Sequence, residues 1–456
     1  MSAAAPPPAG AASANEAAIG AAFDNLRNFR HGYWAPVLLG AIMLFDSWDA
    51  VAIAYAMPAL AADWKLDPLT MGMLISSGYA GQFVGAVSLG AVAERFGRLP
   101  VFIVASALMS VLAIGCAMAP DPTALAIMRV LQGVMIGGAM PVAISYVNEL
   151  APTKTRGRYF GIFQTIAISG ITIASLASPF VIPHLGWRWM FGLGALPLIL
   201  LPLVWITLPE SPRWLVRAGR LAAANKALAK LGAASIAFEK EAPVPGGAPK
   251  AKRLNVGALF SPQLRSRTLT VTMLWFLTIF VGAGMTNWAP SLYVKSFGIP
   301  VERALTFAAI VGVVIFFVLT ISGWLIDKFG RRSLALGGLV FAAIPLLTLA
   351  AWRPSEDVGI FAMFLITQTA IFCATFTLWP YTAEIYPTSV RALGLGYGSS
   401  VGRGASMLMP LLVGFVMSKG APIQIVLTIF GIFALTALVV WITRTHETAG
   451  KPLETS

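Results

Sequence analysis

Residues 33–60 read YWAPVLLGAIMLFDSWDAVAIAYAMPAL. About 20 apolar residues span a bilayer, and this run is longer than that. Lipid offers the backbone no hydrogen bonds, so a spanning segment of this length is a helix. Two carboxylates, Asp46 and Asp49, interrupt the run near its middle. Three residues apart on a helix, they share one face. An ionisable group at that depth persists only beside a cavity, a partner or a proton pathway. The stretch predicts a membrane helix and, on it, a place where something polar moves.

Working outward, eleven further runs of the same kind follow. The twelve lie at roughly 33–60, 70–91, 99–119, 123–149, 157–183, 187–208, 268–294, 304–326, 333–351, 357–383, 392–418 and 423–443. The 456 residues are 57% hydrophobic and 11% charged, whereas soluble domains carry about 25% charged residues. The expected fold is an all-α membrane protein. Its expected units are an N-terminal bundle at 33–208, a linker at 209–267 and a C-terminal bundle at 268–445. Tails of 1–32 and 446–456 flank them.

The net charge of +13 is no sign of a nucleic acid partner, because the basic residues follow a topological pattern. Arg95 and Arg98, then Lys154, Arg156 and Arg158, then Lys328, Arg331 and Arg332 fall in alternate loops, and eleven Lys and Arg fall in 210–267. The other loops are nearly bare. Positive loops stay inside, which predicts cytoplasmic termini; the expected location is a bacterial inner (plasma) membrane. The Ala-, Pro- and Gly-rich start lacks the charged and apolar regions of a signal peptide and is expected to be disordered. The same segment 210–267 is expected to hold a surface helix at about 219–232, then a flexible basic linker. Cys116 and Cys373 fall near opposite membrane faces and are expected to stay unpaired packing residues.

The chain repeats itself. Residues 90–98 read GAVAERFGR and residues 323–331 read GWLIDKFGR, 233 positions later. Independently, Glu149, Pro152 and Arg156 recur as Glu384, Pro387 and Arg391, 235 positions later. Two motifs in one register predict two six-helix halves, with a substrate site between them near the midplane. The two loop motifs resemble the signature of the major facilitator superfamily, with Glu94 where the first copy ordinarily has Asp. Arg129-Val-Leu-Gln132-Gly133 and Pro209-Glu210-Ser211-Pro212-Arg213-Trp214 resemble its sugar and organic-ion transporter branch. Asp46-Ser-Trp-Asp49 is similar to the motif of the aromatic acid:proton symporters, with Ser47 in place of Gly. The resemblance implies twelve helices in two pseudo-symmetric bundles and alternating access.

At about 1.5 Å per helical residue, Asp46, Asp49, Arg129 and Arg403 fall in one layer slightly beyond the midplane. Such a set is either a static ion network or a transport site. On the second reading an arginine binds an anion through its planar fork, and Asp46 or Asp49 takes the coupled proton. Burial and a neighbouring arginine act oppositely on a carboxylate's proton affinity, so substrate and proton favour each other. Gln164 and Gln368 are candidate uncharged donors, and Trp379 and Tyr381 candidate stacking surfaces for substrate. Asn287-Trp-Ala-Pro290 is a candidate outer gate. Glu94, Arg98, Glu149, Arg156, Asp327, Arg331, Glu384 and Arg391 are expected to form the cytoplasmic gate.

None of the three histidines falls inside an apolar run, and no metal-ligand cluster or nucleophile–base set is readable. The expectation is therefore no enzyme, no metal and no cofactor, with the proton as coupling ion. The expected partners are a small organic anion and the lipid bilayer, and the expected state is a monomer. The leading reading is a proton-coupled symporter importing a small organic monocarboxylate, an aromatic acid. The alternatives are a sugar porter, an organic cation or zwitterion carrier, and a non-transporting membrane sensor.

Overall fold

The computed structural model describes residues 11–24, 34–152, 155–238, 256–388 and 390–450. His31 and most of the basic linker lie outside them. Within them the chain forms α1 (Ala11–Asp24), α2 (Trp34–Asp63), α3 (Pro68–Phe96), α4 (Arg98–Ala117), α5 (Pro122–Leu150), α6 (Arg156–Leu185), α7 (Arg188–Gly192) and α8 (Pro197–Thr207). Then come α9 (Pro212–Arg217), α10 (Leu221–Lys230), α11 (Arg265–Lys295), α12 (Val301–Phe329), α13 (Arg331–Ala351), α14 (Asp357–Ile385), α15 (Arg391–Ser418) and α16 (Ile423–Arg444). No strand occurs among the described residues.

Every predicted run is helical. Eleven spans are long and apolar enough to cross a membrane by themselves. The remaining long helix, α3, is 29 residues with Gly72, Gly78, Gly81 and Gly85 along it. It trades apolar bulk for close approach, since small residues let membrane helices touch backbone to backbone. Methyl groups on Gly81 and Gly85 would collide with the Val130 and Val134 carbonyl oxygens of α5.

Two expectations need correction. The run 187–208 is not one helix. It breaks at a 3-10 turn, Leu193–Ala195, because Pro197 supplies no N–H to continue regular bonding from α7. The first tail is not wholly without structure. Ile19 and Phe23, one helical turn apart, give α1 an apolar edge that buries both side chains, and α1 packs on α9.

The helices divide into halves, α2–α8 and α11–α16. Three helix pairs carry most of the contact between them: α3 with α15, α6 with α12, and α2 with α11. Among the described residues, the hydrogen bonds across the halves cluster on the face away from the basic loops. Ser76 Oγ donates to the Met407 carbonyl at 2.7 Å, Thr172 Oγ1 to Gly312 at 3.0 Å, and Lys295 Nζ to Leu66 at 3.2 Å. Asn287 Nδ2 donates to Tyr79 Oη at 3.0 Å. There α11 runs unbroken through Pro290 to Lys295. The molecule is closed on this face.

On the basic face each half fastens itself. Arg98 pairs with Glu94 at 2.6 Å and Glu149 at 3.3 Å, and Arg217 joins Glu149 at 2.6 Å. Arg331 repeats the arrangement with Asp327 at 3.4 Å and Glu384 at 2.9 Å. A second carboxylate completes each clasp. Glu210 accepts from the backbone N–H of Arg98, Leu99 and Ser211. Glu447 accepts from those of Arg331, Arg332, Thr448 and Ala449. Both cap helix N-termini, where anions are favoured. Their environments differ. Burial pushes the Glu210 carboxyl up, and nearby Glu149 adds to this, against its three amide donors. Burial also opposes ionisation of Glu447, but its four amide donors outweigh it and hold the carboxyl below the usual range.

Candidate functional site

The central site is built on α2. Asp49 is fully buried and Asp46 is 7% exposed. Trp48, between them, donates Nε1 to the Met190 carbonyl at 2.7 Å, which pins this turn of α2 to α7. The break after α7 then serves Asp49. Gly194, in the 3-10 turn, leaves room for its Oδ1, since a methyl there would lie 2.6 Å from that oxygen. Oδ1 has no hydrogen-bond partner, whereas Oδ2 accepts from Gln132 Nε2 at 2.9 Å.

Arg129 comes from α5 but does not pair with the Asp49 carboxylate. Its Nη1 donates to the Asp49 backbone carbonyl at 3.2 Å and to Gln132 Oε1 at 3.1 Å. Its guanidinium lies 5.8 Å from the Phe191 ring centroid and against Gly78, where a methyl group would sit 2.8 Å from Nη2. It is buried within the first half.

Arg403 stands differently. It comes from α15 in the other half, is half-buried, and donates Nη1 to Ser399 Oγ at 3.2 Å. Asp46 is its electrostatic neighbour across the interface, yet the two form no ion pair. The four predicted charges are thus brought together as two unlike sets. One is a sealed cluster of Asp49, Arg129 and Gln132; the other is an open pair, Asp46 and Arg403, spanning the halves. The cluster is buried and tightly packed, so it suits holding or releasing a proton. The pair has an arginine with free donor capacity, so it suits an anion.

The uncharged candidates scatter. Gln368 lines a cavity of about 40 Å³ beneath the closed face, with Tyr55 from the first half and Tyr293 from the second. Gln164 on α6 has a buried Oε1 without a partner. Trp379 is 48% exposed and meets Trp275 edge to face, centroids 5.0 Å apart. Trp275 packs on Gly398 and Gly402 of α15, next in sequence to Arg403. Tyr381, expected with them, is elsewhere. It packs on Trp441 at 4.7 Å beside Arg267, Arg444 and His446 at the basic face, because two residues along α14 turns it from Trp379's side. A cavity of about 570 Å³ between α12, α13 and α14 is apolar and holds none of these charges.

The gate residues also differ from expectation. Among the described residues every ion pair on the basic face closes within one half, because the halves meet on the other face. Arg156 and Arg391 open α6 and α15 and take no part in those pairs; Arg391 donates to Thr388 Oγ1 at 3.1 Å. Sequence reading missed Gln132 as a bridge, Gly194, and Glu447. Glu447 had a signal, since it stands 237 positions after Glu210, close to the register of the other repeats.

A family model described as "Sugar (and other) transporter" matches residues 41–456. The niacin transporter NiaP of Acinetobacter baylyi is 31% identical over 441 residues, which is 94% of this chain and 98% of that protein. The gallate transporter of Pseudomonas putida is 32% identical over 425 residues, 90% and 91% of the two chains. A crystal structure of a D-xylose-proton symporter superimposes with a TM-score of 0.71 at 21% identity, over 92% of this chain and 98% of that one. At that identity the likeness is one of fold.

Proposed function

Because the chain belongs to the sugar (and other) transporter family, and is a membrane transporter rather than an enzyme, we propose that it imports a small aromatic monocarboxylate together with a proton. The observation that carries this reading is the open Asp46–Arg403 pair between the halves. Arg403 is an unpaired cation with a planar fork at the interface that alternating access must expose. The Trp275–Trp379 pair, whose Trp275 packs on the same stretch of α15, gives an aromatic ring a surface. Relatives named as niacin and gallate transporters support the same substrate class.

Asp49 takes the proton. An anion seated on Arg403 adds negative charge beside two carboxylates, and that favours proton uptake there. Proton and anion therefore load together. Closure away from the basic face, with the basic loops assigned to the cytoplasm by the positive-inside rule, supports reading this as an inward-facing state; on the same proposal the carrier works as a monomer in the bacterial inner membrane. The uncharged cavity of Tyr55, Tyr293 and Gln368 favours a second reading, a sugar porter.

Uptake into proteoliposomes tests both. Labelled benzoate, propionate and xylose are offered with and without an inward proton gradient. Benzoate should accumulate only with the gradient. Arg403→Lys keeps charge but loses the fork and should raise KM for benzoate about tenfold, the loss of one charge-assisted hydrogen bond. Xylose accumulating in place of benzoate, or parental benzoate uptake by Arg403→Ala, would overturn the anion reading.

A further inference from the structure

Gln132 is fully buried, and every hydrogen-bonding position of its amide is in use. Nε2 donates to Asp49 Oδ2 at 2.9 Å and to the Met109 carbonyl at 3.4 Å. Oε1 accepts from Arg129 Nη1 at 3.1 Å and from Cys116 Sγ at 3.7 Å. An amide has two donor hydrogens and two acceptor lone pairs, so none is left over. The surroundings also fix which way it points. Turned over, its oxygen would face a carboxylate and its NH2 a guanidinium. Three helices, α2, α4 and α5, therefore hold one side chain in one orientation.

The amide stands where an ion pair is otherwise expected. Arg129 and Asp49 are neighbours, yet the guanidinium reaches only the Asp49 backbone oxygen and the amide oxygen. Direct pairing of arginine with carboxylate is strong and holds the acid ionised. A carboxylate so held would exchange its proton only at lower pH. With the amide between them, one neutral N–H satisfies Oδ2, and Oδ1 faces Gly194 with no partner. A proton arriving at Oδ1 breaks no existing bond.

We infer that Gln132 is a positioning residue that keeps Arg129 off the Asp49 carboxylate and thereby sets the pH at which this protein exchanges its proton. This rests on the reading of Asp49 as the coupling site. The spacing of Arg129 and Gln132, one turn apart on α5, is what makes the bridge: the same helix presents the cation and the group that restrains it.

The test is a pH titration of purified, folded protein. The probe is the infrared band of a protonated carboxyl that Asp49→Asn removes, followed alongside gradient-driven benzoate uptake. Gln132→Leu keeps bulk but removes the bridge, so Arg129 is free to close on Asp49. Both midpoints should move to lower pH by about 1–3 units, the effect of an adjacent opposite charge. Adding Arg129→Gln to Gln132→Leu should cancel the shift, since no guanidinium remains to close; such non-additivity marks direct coupling. Where Gln132→Leu does not fold, Gln132→Asn carries the test. It withdraws the amide by one methylene and should shift the midpoints the same way. Folded Gln132 variants with the parental midpoint overturn the inference while leaving Asp49 as coupling site. Should Asp49→Asn itself concentrate benzoate in response to the gradient, the coupling reading falls first, and the inference with it.

Discussion

Asp46 and Asp49 are one turn apart on α2 and face unlike surroundings, so their asparagine variants should fail differently. Asp49→Asn keeps the bond from Gln132 but cannot exchange a proton. It should lose accumulation under an inward gradient and retain counterflow, because exchange proceeds with the site locked neutral. Asp46→Asn removes the charge that competes with an anion for Arg403, so KM for benzoate should fall about threefold to tenfold, roughly a kcal/mol of screened attraction. A raised KM would instead make Asp46 a direct contact of substrate. Residue depth was legible in the sequence: helical rise alone put Asp46, Asp49, Arg129 and Arg403 in one layer. Their pairing was not. Arg129 and Arg403 are alike as letters, and only the packing of α5 against Gly78 and Phe191 encloses one while α15 leaves the other open.

Among the helices, α3 is the one whose sequence says least and whose position says most. Its glycines lower its hydropathy below that of the other spans, yet they bring it against α5 within its own half and α15 across the interface. Gly72 meets the Pro410 carbonyl, and Gly414 lies where a methyl would be 2.5 Å from the Pro68 carbonyl. Closure of this face therefore depends on bare backbone. Gly72→Val should prop it open without unfolding either half. Spin labels at Ala62 and Ser418, both exposed on that face, should report a longer separation, with gradient-driven uptake down at least about tenfold, as ~1.4 kcal/mol against closure suffices for that. An unchanged distance would place the closing contact elsewhere. Helix number and length were readable from apolar runs. The break before α8 was hidden because Leu193 to Leu203 is apolar throughout, and hydropathy does not register the geometry of Gly194 and Pro197. The burial of α1 was hidden in a tail of low complexity that carries only two large apolar residues on its inner edge.

At the scale of the molecule, the duplication read in the loops becomes two self-contained clasps, and their glutamates give the pH dependence a sign. The fold holds Glu447 below the usual glutamate range, so its stabilisation is present above that range and is lost as pH falls through it. Glu447→Gln should lower the thermal midpoint of the purified carrier at neutral pH, about 1–3 kcal/mol for a group whose bonds to charge are weakened. The gap from the parent should shrink as pH drops below the ordinary glutamate range; a constant gap would mean that charge on Glu447 is not what stabilises the clasp. The two clasps also differ in when they become available. Chains fold domain by domain as they leave the ribosome, the N-terminal part first. The first clasp closes with Glu210, before any residue of α11 has been made. The second has to wait for Glu447, beyond the last membrane helix. The leading bundle can thus serve as a finished template in the bilayer, against which the trailing one assembles while its own fastening is still inside the ribosome. A nascent chain stalled before residue 447 would carry one locked bundle and one unlatched, the kind of intermediate that membrane quality control is placed to recognise.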